Sequence, residues 1–190
     1  QLRSVDWLIV LSGFVLLLFG LSAIYSIDLS RGTELLNVKK QLVAIALAIS
    51  VSFFLATSNY KLLRNYSFVL YGAGVLILLS VLFFGTTVRG SRGWFVFEWM
   101  SVQPVEFMKF ALVVALATYF SQRARSHFLL REFFESLLIA AVPITLTLLQ
   151  PDLGSAGVLS GIWGCMALFA GMRARFLVPL FAALGGAFYL

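Results

Sequence analysis

Seven apolar runs separated by short polar stretches make up most of this chain, at roughly 6–27, 41–57, 67–84, 105–120, 133–149, 155–171 and 176–190. A helix needs about 20 apolar residues, range about 17–25, to cross the hydrocarbon core of a bilayer. Most of these runs reach or approach that length. Inside a bilayer each backbone N–H and C=O must find a partner within protein, so spanning segments are helices or the strands of closed barrels. No run alternates with the two-residue period of a lipid-facing barrel strand. The expected fold is therefore all-α, a polytopic membrane helix bundle of about seven transmembrane helices. Composition agrees: 61% of the 190 residues are hydrophobic and 12% are charged, with mean hydropathy +0.99. Soluble domains carry about 25% charged residues. Too few polar side chains remain to coat a surface facing water.

That composition excludes several function classes. A net charge of +6 in a soluble protein would point to nucleic acid, but basic residues beside membrane spans record topology. No nucleic-acid partner is expected, and membrane lipids are. A single cysteine, Cys165, leaves no disulfide framework, and a single histidine, His127, leaves no His-rich metal site. There is no Walker A sequence, no GxGxxG after a strand and no HExxH. The first run is too long for a signal-peptide core and lacks a small-x-small cleavage site, so it is expected to stay as a membrane helix. The last run, 176–190, is shorter than a span needs. It is expected to be an incomplete helix, and the chain to be the N-terminal part of a larger protein.

The basic residues set an orientation. With the N-terminus in the cytoplasm, the inner segments hold Arg3, Lys61, Arg64, Arg123, Arg125, Arg131, Arg173 and Arg175. The outer segments hold Arg31, Lys39, Lys40, Arg89 and Arg92, while Lys109 falls inside a span. The excess lies on the short segments 58–66, 121–132 and 172–175, which places them inside. In this orientation the longest connection, 85–104, is outside. Its aromatic residues Trp94, Phe95, Phe97 and Trp99 suit the water–lipid interface. Gly90 and Gly93 flank Ser91 and Arg92, which reads as a flexible backbone around a cation.

Polar residues that carry chemistry collect at the outer ends of the spans. Glu106 and Lys109 follow Gln103-Pro104 at the start of the fourth run, and an i, i+3 spacing puts both on one helix face. Ionisable groups within spans are costly and usually face a protein interior or a wet cavity. The plainer account is a snorkelling lysine paired with a glutamate near the surface. Asp152, in Gln150-Pro151-Asp152-Leu153-Gly154-Ser155, is a favoured N-cap type for the sixth span, and a site role can coexist with capping. Gly157 and Gly161 form a GxxxG pattern, read as a helix-packing surface.

These residues resemble the SEDS family, which includes RodA, FtsW and SpoVE. The resemblance lies in Arg92-Gly93-Trp94, in Gln103-Pro104-Val105-Glu106-Phe107-Met108-Lys109 and in Gln150-Pro151-Asp152-Leu153-Gly154-Ser155, with Ser4-Val5-Asp6-Trp7 and Ala23-Ile24-Tyr25-Ser26 similar to RodA. It implies a ten-helix fold, of which residues 1–190 would be the N-terminal part of one transmembrane domain, in the bacterial cytoplasmic membrane. It further implies a peptidoglycan glycosyltransferase that polymerises lipid II at the outer face, for elongation or division. The implied partners are a class B penicillin-binding protein and the elongation or division machinery. Arg92, Trp94, Gln103, Glu106, Lys109 and Asp152 are the implied substrate-binding residues. The implied catalytic aspartate lies beyond residue 190; a divalent cation is left open, and no metal ligands are assigned. Val105 stands where the family usually has Ser, and Gly93 separates Arg92 from Trp94. A flippase or transporter of lipid-linked precursors, and a non-catalytic scaffold for a penicillin-binding protein, are the competing readings. A translocation route would need polar residues continuing to the cytoplasmic half of the spans.

Overall fold

The computed structural model describes residues 6–32, 35–57, 59–88, 90–98, 100–123 and 130–172. These residues form α1 (Trp7–Arg31), α2 (Leu36–Thr57), α3 (Tyr60–Asn65), α4 (Ser67–Phe84), β1 (Thr86–Val88), β2 (Ser91–Val96), β3 (Ser101–Val102), α5 (Pro104–Gln122), α6 (Leu130–Leu148) and α7 (Leu153–Phe169). All of these helices except α3 follow the first six apolar runs; α3 is a short helix in the segment 58–66. The seventh run, 176–190, lies outside the described residues, as do Arg89 and Trp99. Among the described residues four helices are long and apolar enough to cross a membrane, over Val10–Arg31, Leu36–Thr57, Ser67–Phe84 and Pro104–Gln122. The 17-residue α7 is apolar but shorter. The 19-residue α6 carries Arg131, Glu132 and Glu135 in its first two turns.

The chain divides into two compact units, residues 1–60 and 61–190. In the first, Asp6 caps α1 by accepting from the Leu8 amide at 3.0 Å. Gly32 ends α1 at φ +64°, a left-handed conformation open to glycine, and its N–H reaches the carbonyls of Asp28 and Leu29. Asp28 is buried, and its carboxylate accepts from the Asn37 side chain and from the Val38 amide in the first turn of α2. One acid thereby closes the α1–α2 hairpin and satisfies a helix-end donor.

The second unit has a core of Leu78, Met108, Leu112, Leu116, Leu159 and Trp163, from α4, α5 and α7. Lipid tails are as apolar as leucine, so helix association here rests on close packing and interhelical hydrogen bonds. The close approach is at Gly74 of α4, where an added Cβ would stand 2.7 Å from Met108 Sδ and 3.6 Å from Ala111 Cβ. The GxxxG pattern does not do this work: a Cβ on Gly157 or Gly161 would meet nothing within 4 Å among the described residues. Trp163 donates from Nε1 to Ser136 Oγ at 3.2 Å and stands edge-on to Phe133. Pro143, inside α6, has no N–H to give the Ile139 carbonyl one turn back. The Tyr71 hydroxyl, from α4, donates to that carbonyl at 2.7 Å.

The connection over 85–104 folds further than a loop. β1, β2 and β3 form a three-stranded antiparallel sheet in that order, pairing Thr86 with Trp94 and Phe95 with Val102. Gly90 turns the chain between β1 and β2 at φ +87°, whereas Gly93 lies within β2 outside the left-handed region. The expectation of a flexible backbone around Arg92 is thus corrected. The cation sits on a paired strand.

Candidate functional site

Antiparallel succession brings the end of α4, the start of α5, the end of α6 and the start of α7 to one end of the second unit, with the small sheet across them. Each predicted residue except Lys109 takes its place from a helix end or strand; Lys109 lies one turn further into α5. Pro104 occupies N1 of α5, where a missing N–H breaks no helical bond. Gln103 is the N-cap, yet its side chain does not cap the helix. Instead Nε2 donates to Asp152 Oδ2 at 2.9 Å.

Asp152 caps α7, as its residue type suggested: Oδ1 accepts from the Ser155 amide at 2.9 Å. Oδ2 also accepts from the Ser155 hydroxyl at 2.7 Å. The carboxylate therefore serves three donors at once and ties the first turn of α7 to the N-cap residue of α5. Glu106 and Lys109 meet as the spacing predicted, Nζ to Oε1 at 2.7 Å. The lysine side chain is 23% exposed and the glutamate 61%, so the pair has a drier cation and a wetter anion. Glu106 also lies in the first turn of α5, where a negative charge complements the helix dipole.

Arg92 reaches a different set of partners. Its guanidinium donates from Nε to the Gly85 carbonyl at 3.1 Å and from Nη2 to the Phe83 carbonyl at 3.1 Å. These are carbonyls at the end of α4, where a cation is favoured by the helix dipole. Trp94 is half-buried on β2, and its carbonyl accepts from the Thr86 hydroxyl at 3.0 Å. The structure thus joins Gln103 with Asp152 and Glu106 with Lys109, and seats Arg92 on the backbone of α4.

Gln150 has a role that its place before Pro151 and Asp152 in the sequence does not reveal. It is 1% exposed, and it bonds to two elements, β2 and α4. Its carbonyl accepts from the Arg92 amide at 3.1 Å and from the Ser91 hydroxyl at 3.0 Å, while its Nε2 donates to the Leu78 carbonyl at 3.3 Å. The only sequence signal was a glutamine at the end of an apolar run, immediately before Pro151. Among the described residues no group of three or more His, Cys, Asp or Glu is placed to hold a metal ion.

At the opposite end of the unit a second polar cluster fastens α5 to α6. Glu135 accepts from the Tyr119 hydroxyl at 2.7 Å, Arg131 Nε at 2.6 Å and Arg123 Nη2 at 3.1 Å. Arg123 also covers the Tyr119 ring, 4.1 Å from its centroid. Between the two ends three buried hydroxyls donate to carbonyls of their own helices, Ser136 to Phe133, Thr147 to Pro143 and Ser160 to Ala156, and Ser136 Oγ also accepts from Trp163.

Residues 4–189 match the family model described as cell cycle protein, that of FtsW, RodA and SpoVE. The chain is 31% identical over 196 residues to a probable peptidoglycan glycosyltransferase FtsW of Haemophilus influenzae, covering 99% of this chain and 48% of that protein. It is 30% identical to the stage V sporulation protein E of Bacillus subtilis, over 90% of this chain and 49% of that one. Among solved structures it is similar to the rod shape determining protein RodA of Thermus thermophilus, with a TM-score of 0.74 at 30% identity, covering 96% of this chain and 59% of the other. It is also similar to a chain of a peptidoglycan synthase complex that coordinates polymerization and crosslinking, with a TM-score of 0.73 at 32% identity, covering 95% of this chain and 52% of that one. The chain spans about half the length of the curated relatives it matches. With its succession of apolar helices it is a multi-pass membrane protein, and it belongs to the cell cycle protein family of FtsW, RodA and SpoVE.

Proposed function

We propose that the protein to which this chain belongs is a peptidoglycan glycosyltransferase that polymerises lipid II at the outer face of the bacterial cytoplasmic membrane. The names of the relatives support the reaction class. The observation that carries the reading in this chain is the half-shielded Lys109, held by Glu106 one turn below a rim made by Gln103, Asp152 and the Arg92–Trp94 strand. In glycosyl transfer from a lipid diphosphate, negative charge grows on the leaving phosphate as the bond to the sugar breaks. A fixed cation at low dielectric stabilises that charge without having to reorganise. Lys109 is assigned this role and Glu106 holds it in place. Arg92 and Trp94 bind the substrate from the strand, and Asp152 acts through Gln103.

The N-terminus is placed in the cytoplasm on the distribution of Lys and Arg, which puts this rim outside. A class B penicillin-binding protein is the proposed partner, in keeping with the synthase complex that this fold resembles. The test uses the full-length protein with its partner synthase in liposomes loaded with labelled lipid II. Glycan polymer that disappears in Lys109→Ala is the expected result. Movement of lipid II between leaflets with no polymer would replace this reading by the flippase, and neither product would leave the scaffold.

A further inference from the structure

Gln150 and Gly93 lie far apart in sequence and face each other in the fold. Gly93 is buried within β2, with a backbone conformation that any residue adopts, so conformational freedom does not explain the glycine. Space does. A Cβ at Gly93 would stand 3.0 Å from Gln150 Oε1 and 3.3 Å from Ser91 Oγ, tighter than ordinary van der Waals contact. The Gln150 side chain is not free to step aside, because its Nε2 is held by the Leu78 carbonyl on α4 and the residue is buried. Its own carbonyl meanwhile accepts from Arg92 N–H and the Ser91 hydroxyl.

We infer that Gln150 is a positioning residue for the site: it seats β2, and with it Arg92 and Trp94, against the ends of α4 and α6, and position 93 is glycine because that seat leaves no room for a side chain. The seat is built from both ends of the residue. The main-chain carbonyl fixes the height of Arg92, and the side-chain amide fixes the distance between β2 and α4. Its consequence for polymerisation rests on the proposed function, whereas the seating itself can be measured without any turnover.

The experiment is hydrogen exchange by mass spectrometry on the full-length protein in lipid nanodiscs, reading the amides of residues 86–96, in Gly93→Val, Gln150→Ala and the double variant. Valine favours strands, so the substitution is locally benign. Gln150→Ala alone loses the tie to Leu78, so its β2 amides exchange faster than wild type, and a wild-type rate there overturns the seat; Gly93→Val exchanges about tenfold or more faster than wild type, and the double variant, in which Gln150→Ala makes room, falls back to the rate of Gln150→Ala. A double variant that exchanges as fast as Gly93→Val, or faster, overturns the inference. Should Gly93→Val alone fail to accumulate in membranes, accumulation becomes the readout: rescue by Gln150→Ala supports the seat, and no rescue overturns it. In parallel, the apparent KM for lipid II should follow the exchange rates, rising most in Gly93→Val, with a smaller change in kcat. Free exchange of β2 with an unchanged KM would show that the site does not depend on the seat. Absence of polymer from the wild-type protein would instead count against the proposed function and leave the exchange result standing.

Discussion

The tie between Gln103 and Asp152 can be inverted, and the inversion separates a structural carboxylate from a substrate-binding one. Asp152 accepts from three donors, two of them on Ser155 and one on Gln103. Removing them all with Asp152→Ala deletes the helix cap, which costs about 0.5–2 kcal/mol. It also deletes the charge-assisted bond from Gln103, worth about 1.5–3 kcal/mol when shielded and less at this half-exposed position. The sum is about 2–4 kcal/mol. Asp152→Asn is far milder, because Asn still caps α7 through its oxygen, Gln103 can turn its amide to present Oε1, and the Ser155 hydroxyl can rotate. What is lost is the charge assistance, about 1 kcal/mol, since charged hydrogen bonds are roughly twice as strong as neutral ones. Gln103→Glu, by contrast, sets two carboxylates against each other where an amide donated at 2.9 Å. In the swap Gln103→Glu/Asp152→Asn, an Asn amide donates to a Glu carboxylate and complementarity returns. The assay is melting temperature and lipid II polymerisation of the full-length protein with its partner synthase. The expected order in both is wild type, Asp152→Asn and the swap at the top, with Gln103→Glu and Asp152→Ala well below. The swap should regain about tenfold in polymer yield over Gln103→Glu, the equivalent of about 1.4 kcal/mol. An Asp152→Asn protein that melts normally yet makes no polymer, and a swap that rescues stability without rescuing activity, would overturn a structural role and assign the carboxylate to substrate.

Lys109→Met should insert normally and melt close to wild type, because a partly exposed ion pair contributes only about 0–1 kcal/mol, while its polymer yield should fall to background; normal polymer would reduce Lys109 to a snorkelling side chain. In a Cys165→Ser background, Thr87→Cys should react with an impermeant maleimide added outside intact cells and Leu63→Cys should not; the reverse pattern would invert the orientation and move the site to the other face. Tyr71→Phe should destabilise by about 0.5–1.5 kcal/mol by leaving the Ile139 carbonyl without a donor. The same change in a Pro143→Ala background should be nearly neutral, since alanine restores the helical N–H, and equal losses in both backgrounds would show that the hydroxyl does not compensate for the proline.

The helices were legible because lipid forces the issue: a long apolar run has no other way to satisfy its backbone. The residues of the rim were legible for a related reason, since Glu106, Lys109 and Asp152 are costly or conspicuous at the ends of such runs. The small sheet was harder to see. Its strands cover Thr86–Val88, Ser91–Val96 and Ser101–Val102, too short for a two-residue period to stand out from an interfacial aromatic segment. Packing was harder still. Gly157 and Gly161 have the spacing of a helix contact but face open space among the described residues, while Gly74, with no such pattern, meets Met108.

The difference is one of range. Spacing along a helix says which residues share a face, but not which other helix, if any, that face will meet. Arg92 shows this at the site itself: its type and position marked it as an outer cation, yet its guanidinium caps the carbonyls of Phe83 and Gly85. Gln150 shows the converse. Nothing local distinguishes it from a solvated turn residue, and its role appears only when α4, β2 and the α6–α7 turn converge on it. In a membrane protein that convergence follows from the order and direction of the spans. Four helix ends arrive at one face, and polar groups shielded between them find one another, as Gln103 finds Asp152 and Gln150 finds Leu78 and Arg92. The residues that organise the site are therefore expected at helix ends and in the short connections, and Gln103, Gln150 and Asp152 all lie there.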